Sequence, residues 1–261
     1  MLLTSPLPWV GGKSRLRQTI ISRIPTHHCY VEVFAGGAWV YFGKPPSKVE
    51  VLNDINGDLV NLYKVLQSRH DEFYEALWYM FPSRQLHKDS KAILEANRTQ
   101  PILTDVERAV LFYYQIKYAF GARYGAGYAL SSIRPPRHLI AHDLLNDFRS
   151  RLENTHVENL SYERLIASYD KPETFFYCDP PYVVADGGDY YQFCFSPEDH
   201  TSLRDALANA KGKWLLSYDD VPMIRSLYHD FKITVTKEIP YSLNNRKGKV
   251  KRKRELLISN Y

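Results

Sequence analysis

Apolar positions follow two regimes along this chain. Short, nearly unbroken apolar runs read as strands: "YVEVFA" at 30–35, "KVEVLN" at 48–53, "TFFYCD" at 174–179, "KWLLSY" at 213–218, "KITVTKEI" at 232–239 and "ELLISN" at 255–260. Runs of that length without strict alternation suit strands buried on both faces of a largely parallel sheet. Helical spacing takes over between them. Leu16, Ile20 and Ile24 recur at one helix face until Pro25 stops the run, and Ile55, Leu59, Leu62, Tyr63 and Leu66 form another such face. From 67 to 153 the pattern is mainly helical, with no strand run to alternate with it. Thr104 and Glu107 form a capping box ahead of Phe112, Tyr113, Tyr114, Tyr118 and Phe120. The glycine-rich break "FGARYGAGY" at 120–128 follows, then a helix over 138–153. Ser196 and Pro197 start one more helix. The expected organisation is a discontinuous α/β domain, 1–66 with 154–261, carrying an inserted, mainly helical lobe at 67–153.

Two glycine turns punctuate the first part. "PLPWVGGKSRL" at 6–16 ends like a nucleotide-triphosphate loop, but Leu7 stands where that pattern needs its first glycine, and Pro6 and Pro8 argue against a central strand feeding it. An irregular lead-in, a Gly-Gly turn and a helix are expected instead, with Lys13 at a helix start suited to an anion. The second turn, Gly36-Gly37, follows a strand. A further strand leads to Asp54, which lies where α/β nucleotide folds place an acidic residue for a ribose hydroxyl or base edge.

Composition narrows the class without naming an activity. At 44% hydrophobic residues the chain can fill a core, and no apolar run approaches a membrane span. The N-terminus lacks the pattern of a secretion signal, and Cys29, Cys178 and Cys194 are too scattered for a disulfide framework or a zinc cluster. A reducing, cytoplasmic setting is expected. The formal charge of +5 is mild, but seven Lys/Arg fall within "RKGKVKRKR" at 246–254. Pinned ahead of a buried strand, that run, with Arg246, Lys247, Lys249 and Lys251, is placed to contact phosphates.

The densest chemistry is "FYCDPPYV" at 176–183. A buried strand delivers Asp179, Pro180, Pro181 and Tyr182 to its carboxyl end, where open α/β sheets bind ligands. Two prolines remove two backbone donors and fix the main chain. A carboxylate, outward carbonyls and a flat aromatic face suit an amino group on a planar ring.

With these residues in view, the chain resembles the Dam-like, D12 class of DNA adenine-N6 methyltransferases. The tetrapeptide 179–182 is similar to that family's catalytic motif, and "VEVFAGGAWVYF" at 31–42 to its methionine-site motif, with Ala38 in place of the usual last glycine. "LNDINGDLVNLY" at 52–63 resembles its Asp-Ile-Asn segment, "PWVGGKSRL" its N-terminal cofactor loop, and "YAFGARYGAGYALSS" at 118–132 a shortened form of its DNA-recognition hairpin. The resemblance implies a Rossmann-like α/β sheet with helices on both faces and S-adenosyl-L-methionine as methyl donor, with no metal. It implies cofactor contacts from Trp9, Lys13, Glu32, Phe34, Gly36, Asp54, Asp179 and Phe195. It implies double-stranded DNA as partner, touched by Phe120 and Arg123, Arg–guanine being the commonest specific pairing. It also admits a cognate restriction endonuclease. Catalysis would run through Asp179 and the Pro180 carbonyl on the amine of a flipped adenine stacked on Tyr182. The same geometry would serve cytosine N4 or RNA, and a catalytically silent DNA-binding protein is the alternative from another class.

Overall fold

The structure, a computed structural model, describes residues 3–129, 140–183, 194–240 and 252–261. The elements in chain order are α1 (Arg17–Ile21), β1 (Cys29–Glu32), α2 (Trp39–Gly43), β2 (Val49–Asn53), α3 (Gly57–Ser68), α4 (His70–Trp78), α5 (Arg84–Thr99) and α6 (Asp105–Tyr118). Then come α7 (His142–Leu152), β3 (Thr155–Glu158), α8 (Tyr162–Tyr169), β4 (Thr174–Cys178), α9 (Pro197–Ala208), β5 (Lys213–Asp219) and α10 (Pro222–Leu227). The last are β6 (Lys232–Val235), β7 (Ile239–Pro240), β8 (Arg252–Lys253) and β9 (Glu255–Ser259). They divide into two compact units, each assembled from three stretches of chain. The first comprises Met1–Ser14, Gly36–Pro46 and Asn56–Asn159; the second comprises Arg15–Ala35, Ser47–Ile55 and Leu160–Tyr261.

The second unit is built on a Rossmann-like sheet whose strands run in the order β2-β1-β4-β5-β9-β6. β1, β2, β4 and β5 are parallel, whereas β9 is antiparallel to both β5 and β6. The chain steps outward from β1 to β2 in one direction and from β4 to β5 in the other. The carboxyl ends of β1 and β4 therefore flank a topological switch point, where open sheets bind ligands. One face of the sheet, with Val31, Val33, Phe176, Cys178, Trp214, Leu216, Tyr218, Leu256 and Ile258, packs on Tyr162, Leu165 and Ile166 of α8, Leu203 and Leu207 of α9 and Ile224 of α10. The unbroken apolar runs of β4 and β9 are buried at every position, as strands covered on both sides must be.

In the first unit α6 packs against α3, α4 and α5. Its aromatics Phe112, Tyr113, Tyr114 and Tyr118 are all buried, the pattern of a helix surrounded by other helices. The Thr104–Glu107 capping box forms as expected. Asp58 in the first turn of α3 takes Arg108 Nε at 2.7 Å and Arg98 Nη2 at 2.8 Å.

Several elements are shorter than the apolar spacing implies. α1 stops at Ile21, and its N-cap is Leu16, so Lys13 precedes the helix by more than a turn's lead and is not at a helix start. Ile55 lies outside α3 and is exposed, because Asn56 caps the helix there, its side chain accepting from the N–H groups of Asp58 and Leu59. The run 232–239 is interrupted after Val235, where the Thr236 N–H turns to the Glu255 carbonyl at 2.9 Å. The helix expected from 138 begins at His142. Phe120 leaves α6 for a one-turn 3-10 segment, Phe120–Ala122, and is exposed.

Candidate active site

In the second unit, the carboxyl edge of the parallel strands gathers Glu32, Phe34, Asp54 and Asp179. Register pairs Glu32 with Leu52 on one side and Tyr177 on the other. Phe34, Asp54 and Asp179 each lie two residues beyond that row, at the tips of their strands. Hydrogen bonding continues past the strand ends: Val33 N–H donates to Tyr177 O at 2.9 Å and Ala35 N–H to Asn53 O at 2.8 Å. Asn53 is buried and stitches the edge, its amide nitrogen donating to the carbonyls of Val33 and Leu160 and its amide oxygen accepting from Leu160 N–H. The "LNDIN" run thus divides its labour. Asn53 ties strands, Asp54 stands half-buried at the edge, and Asn56 caps α3.

Asp179 and Tyr182 are each held by a residue that the sequence reading did not single out. Ser217, fully buried on β5, donates to Asp179 Oδ1 at 2.8 Å, and its oxygen lies 3.1 Å from the Tyr177 hydroxyl. With Ser217 donating to the carboxylate, Tyr177 donates to Ser217. The Tyr182 hydroxyl donates to Glu255 Oε2 at 2.7 Å, and Glu255 is buried at the start of β9. Burial first, then the charges of Glu255 and Asp179, push the Tyr182 hydroxyl well above its ordinary range, so it remains a donor. The Tyr182 ring lies 5.8 Å from that of Tyr218. The overlooked signal was a polar residue adjoining an apolar run, Ser217 after "WLL" and Glu255 before "LLI", because a buried polar group needs a partner.

Glu32 is buried and accepts from the Tyr30 hydroxyl at 2.7 Å. Phe34 and Phe195 form an edge-on pair at 5.7 Å, with Tyr162 within 5.9 Å of both rings. Phe195 immediately precedes the Ser196–Asp199 capping box of α9, which fixes where that ring sits.

The first unit holds Trp9, Lys13, Gly36, Phe120 and Arg123. The Trp9 carbonyl accepts from Gly12 N–H at 3.1 Å, closing the loop, and Lys13 Nζ donates to the Gly11 carbonyl at 2.8 Å. A Cβ added to Gly36 would lie 2.8 Å from Trp9 Nε1, and Gly36 has φ +48°, so glycine is needed on both counts. The Gly36 carbonyl accepts from the Tyr63 hydroxyl at 2.6 Å. Ala38, where the glycine motif departs from the family's, adopts φ 49° and ψ 39°, the left-handed conformation its missing glycine would have taken freely. Trp9 leads through Phe112 (6.3 Å) to Tyr124 (6.0 Å), whose ring also carries the Arg98 guanidinium at 5.2 Å. Tyr124 is the neighbour of Arg123 in the glycine-rich turn, whose ends pair through Ala119 and Tyr128.

Arg246, Lys247, Lys249 and Lys251 lie outside the described residues. On either side of them the backbone is paired, Ile239 with Lys253 and Pro240 with Arg252. No helix among the described residues is long and apolar enough to cross a membrane.

The chain is similar to several known proteins. A DNA adenine methylase of Salmonella typhimurium is 30% identical over 264 aligned positions, which cover 96% of this chain and 93% of the relative. Type II methyltransferase M1.LlaDCHI of Lactococcus lactis subsp. cremoris is 26% identical, with 97% and 94% covered. Type II methyltransferase M.CviBI of Paramecium bursaria Chlorella virus NC1A is 26% identical, with 97% and 98% covered. The family model of the D12 class N6 adenine-specific DNA methyltransferases matches residues 9–240, from the Trp9 loop through the tetrapeptide 179–182 and beyond β6. The chain belongs to that family and is an adenine-specific DNA methyltransferase.

Proposed function

We propose that this enzyme moves a methyl group from S-adenosyl-L-methionine to the N6 amine of an adenine turned out of double-stranded DNA, at the carboxyl edge of the second unit's sheet. The observation that carries this reading is the fixed pair at the tip of β4: Asp179 held by Ser217, and Tyr182 held by Glu255, across two prolines. Adenine N6 is a weak nucleophile because its lone pair is delocalised into the ring. Asp179 and the Pro180 carbonyl would accept its two N–H groups and favour a localised lone pair. The Tyr182 ring would stack on the purine and fix its approach. As nitrogen gains positive charge, a pre-positioned carboxylate stabilises it without reorganisation.

The residues present fit the methyl donor. Gly36 lets the Trp9 indole lie directly against the glycine turn, because a Cβ there would fall 2.8 Å from Nε1. Phe34, Phe195 and Asp54 supply aromatic surface and a carboxylate acceptor at the sheet edge, groups suited to a nucleoside's ring and hydroxyls. Within the second unit, Glu32, Phe34, Asp54, Asp179 and Phe195 are the proposed contacts. When bound, S-adenosyl-L-methionine supplies an electrophilic methyl group on a sulfonium.

Residues 67–153 would serve target recognition, with Arg123 on a base edge and Phe120, already exposed, against the duplex. The basic residues Arg246, Lys247, Lys249 and Lys251 would neutralise phosphates. Expression in a methylation-free bacterium, with modified bases mapped by single-molecule sequencing, tests the proposal. N6-methyladenine at one sequence motif is expected, and Asp179→Ala should abolish it. Methylated cytosine alone, or full activity in Asp179→Ala, would refute the reading.

A further inference from the structure

Tyr182 is a ring on a stiff stem. Pro180 and Pro181 fix the main chain leading to it, but they leave its own side-chain torsions free. The hydroxyl is about 6.5 Å from the Cα in a tyrosine of standard geometry, so a swing of about 20° moves it by about 2 Å, enough to lose a hydrogen bond. The angle of the ring is therefore reported, and restrained, by whatever holds the hydroxyl. That partner is Glu255 Oε2 at 2.7 Å.

The Glu255 main chain is tied on both of its polar groups. Its N–H donates to Thr236 Oγ1 at 2.9 Å and its carbonyl accepts from Thr236 N–H at 2.9 Å. It also faces Asp219 across the antiparallel β5–β9 ladder. A buried carboxylate directly opposite a second acidic residue is costly in a sheet edge. An apolar residue there would continue the run "LLIS" without that cost. The acid is explained by the charge-assisted bond it accepts from Tyr182.

We propose that Glu255 is a positioning residue of this methyltransferase, setting the direction of the Tyr182 ring axis and so the place at which the target base stacks. It would act through the tyrosine hydroxyl. The inference rests on the proposed stacking role of Tyr182.

A double-mutant cycle tests it, using the full chain, tritiated S-adenosyl-L-methionine and genomic DNA from a methylation-free bacterium. Glu255→Leu and Tyr182→Phe should each lower kcat at least about tenfold, as a misplaced reacting partner does, with KM for the methyl donor little changed. The double variant should be no worse than the poorer single variant, within about twofold. Glu255→Gln, whose amide oxygen still accepts from the hydroxyl, should recover most of the loss seen in Glu255→Leu. Losses that multiply in the double variant, or a Glu255→Gln enzyme as poor as Glu255→Leu, would overturn the proposal. Should Glu255→Leu not fold, Glu255→Gln measured with and without Tyr182→Phe decides the same question: any loss it causes must vanish in the phenylalanine background, and one that persists overturns the proposal. A wild-type enzyme that forms N6-methyladenine while Glu255→Leu keeps full rate would sink this inference alone. A wild-type enzyme that forms none would sink the underlying function as well.

Discussion

Replacing Gly36 with alanine should displace the Trp9 indole, lowering stability and methyl-donor affinity together. Two effects contribute, and the neighbouring residue separates them. The left-handed backbone at φ +48° costs an L-residue about 1–2 kcal/mol, partly offset by about 0.4–1 kcal/mol from a stiffer unfolded chain. Ala38 already carries that backbone cost two residues later, at φ 49°. Conformation alone therefore predicts a mild effect at Gly36. The contact does not: the new Cβ would fall 2.8 Å from Trp9 Nε1 and 2.9 Å from its Cδ1. The indole must retreat by roughly 0.7 Å, although its carbonyl is tied to Gly12 and its ring packs near Phe112. Overpacking of that kind costs about 1–3 kcal/mol, giving about 2–4 kcal/mol in all. Urea unfolding should show that loss, and calorimetric titration with S-adenosyl-L-methionine should show affinity reduced about tenfold or more. Ala38→Gly is the control. It relieves left-handed strain, loses one buried methyl of about 0.8 kcal/mol and adds about 0.5–1 kcal/mol of unfolded-chain entropy, so it should be neutral within about 1 kcal/mol. If Gly36→Ala behaved like Ala38→Gly in both assays, the Trp9 contact would not be what requires glycine at 36.

Three further outcomes follow from the buried polar groups. Ser217→Ala removes the donor to Asp179 and strands the Tyr177 hydroxyl, so it should cost about 1–3 kcal/mol and slow single-turnover methylation about tenfold; an unchanged rate would show that Asp179 holds its place without help. Asp58→Asn loses one charge-assisted partner for each of two arginines and should destabilise by about 2–3 kcal/mol, less than a fully buried pair because Arg98 and Arg108 keep water; a melting temperature within error of wild type would contradict this. Burial lowers the pKa of His200 and of His87 below the ordinary value. Each is held neutral in the folded state, so the unfolded chain binds more protons as pH falls. Stability is therefore complete above about pH 6.5 and falls below it, by at most about 1.4 kcal/mol per pH unit for each residue. Denaturant midpoints measured between about pH 7.5 and 5.5 check the sign, and His200→Gln should flatten part of the slope.

The strands of the parallel sheet were readable because each is a short apolar run ending at a polar tip, and Asp54 and Asp179 lie at those tips. Capping chemistry was equally legible: Thr104–Glu107 and Ser196-Pro197 start helices where their side chains demand it. What the pattern could not show was where a run of apolar spacing stops. Asn56 ends the α3 face one residue after Ile55 because its side chain satisfies two N–H groups, a competition that periodicity does not register. Nor does spacing reveal partners distant in the chain. Ser217 is 38 positions from Asp179, and Glu255 is 73 from Tyr182. Each looks like an interruption in an apolar strand until the fold brings its partner alongside. The split into two units was illegible for the same reason, since short stretches such as 36–46 and 47–55 belong to different ones.

That interleaving constrains how such a protein can be rebuilt, by evolution or at the bench. The chain passes between the units at 14/15, 35/36, 46/47, 55/56 and 159/160. A single recombination break between two relatives would therefore leave both units patchwork in each daughter, except where it falls before residue 15 or after residue 159. A two-break exchange confined to 56–159 leaves the second unit whole. Under the recognition role proposed for residues 67–153, it is the cheapest route to a new target, with the glycine turns and strand tips inherited together as one heirloom.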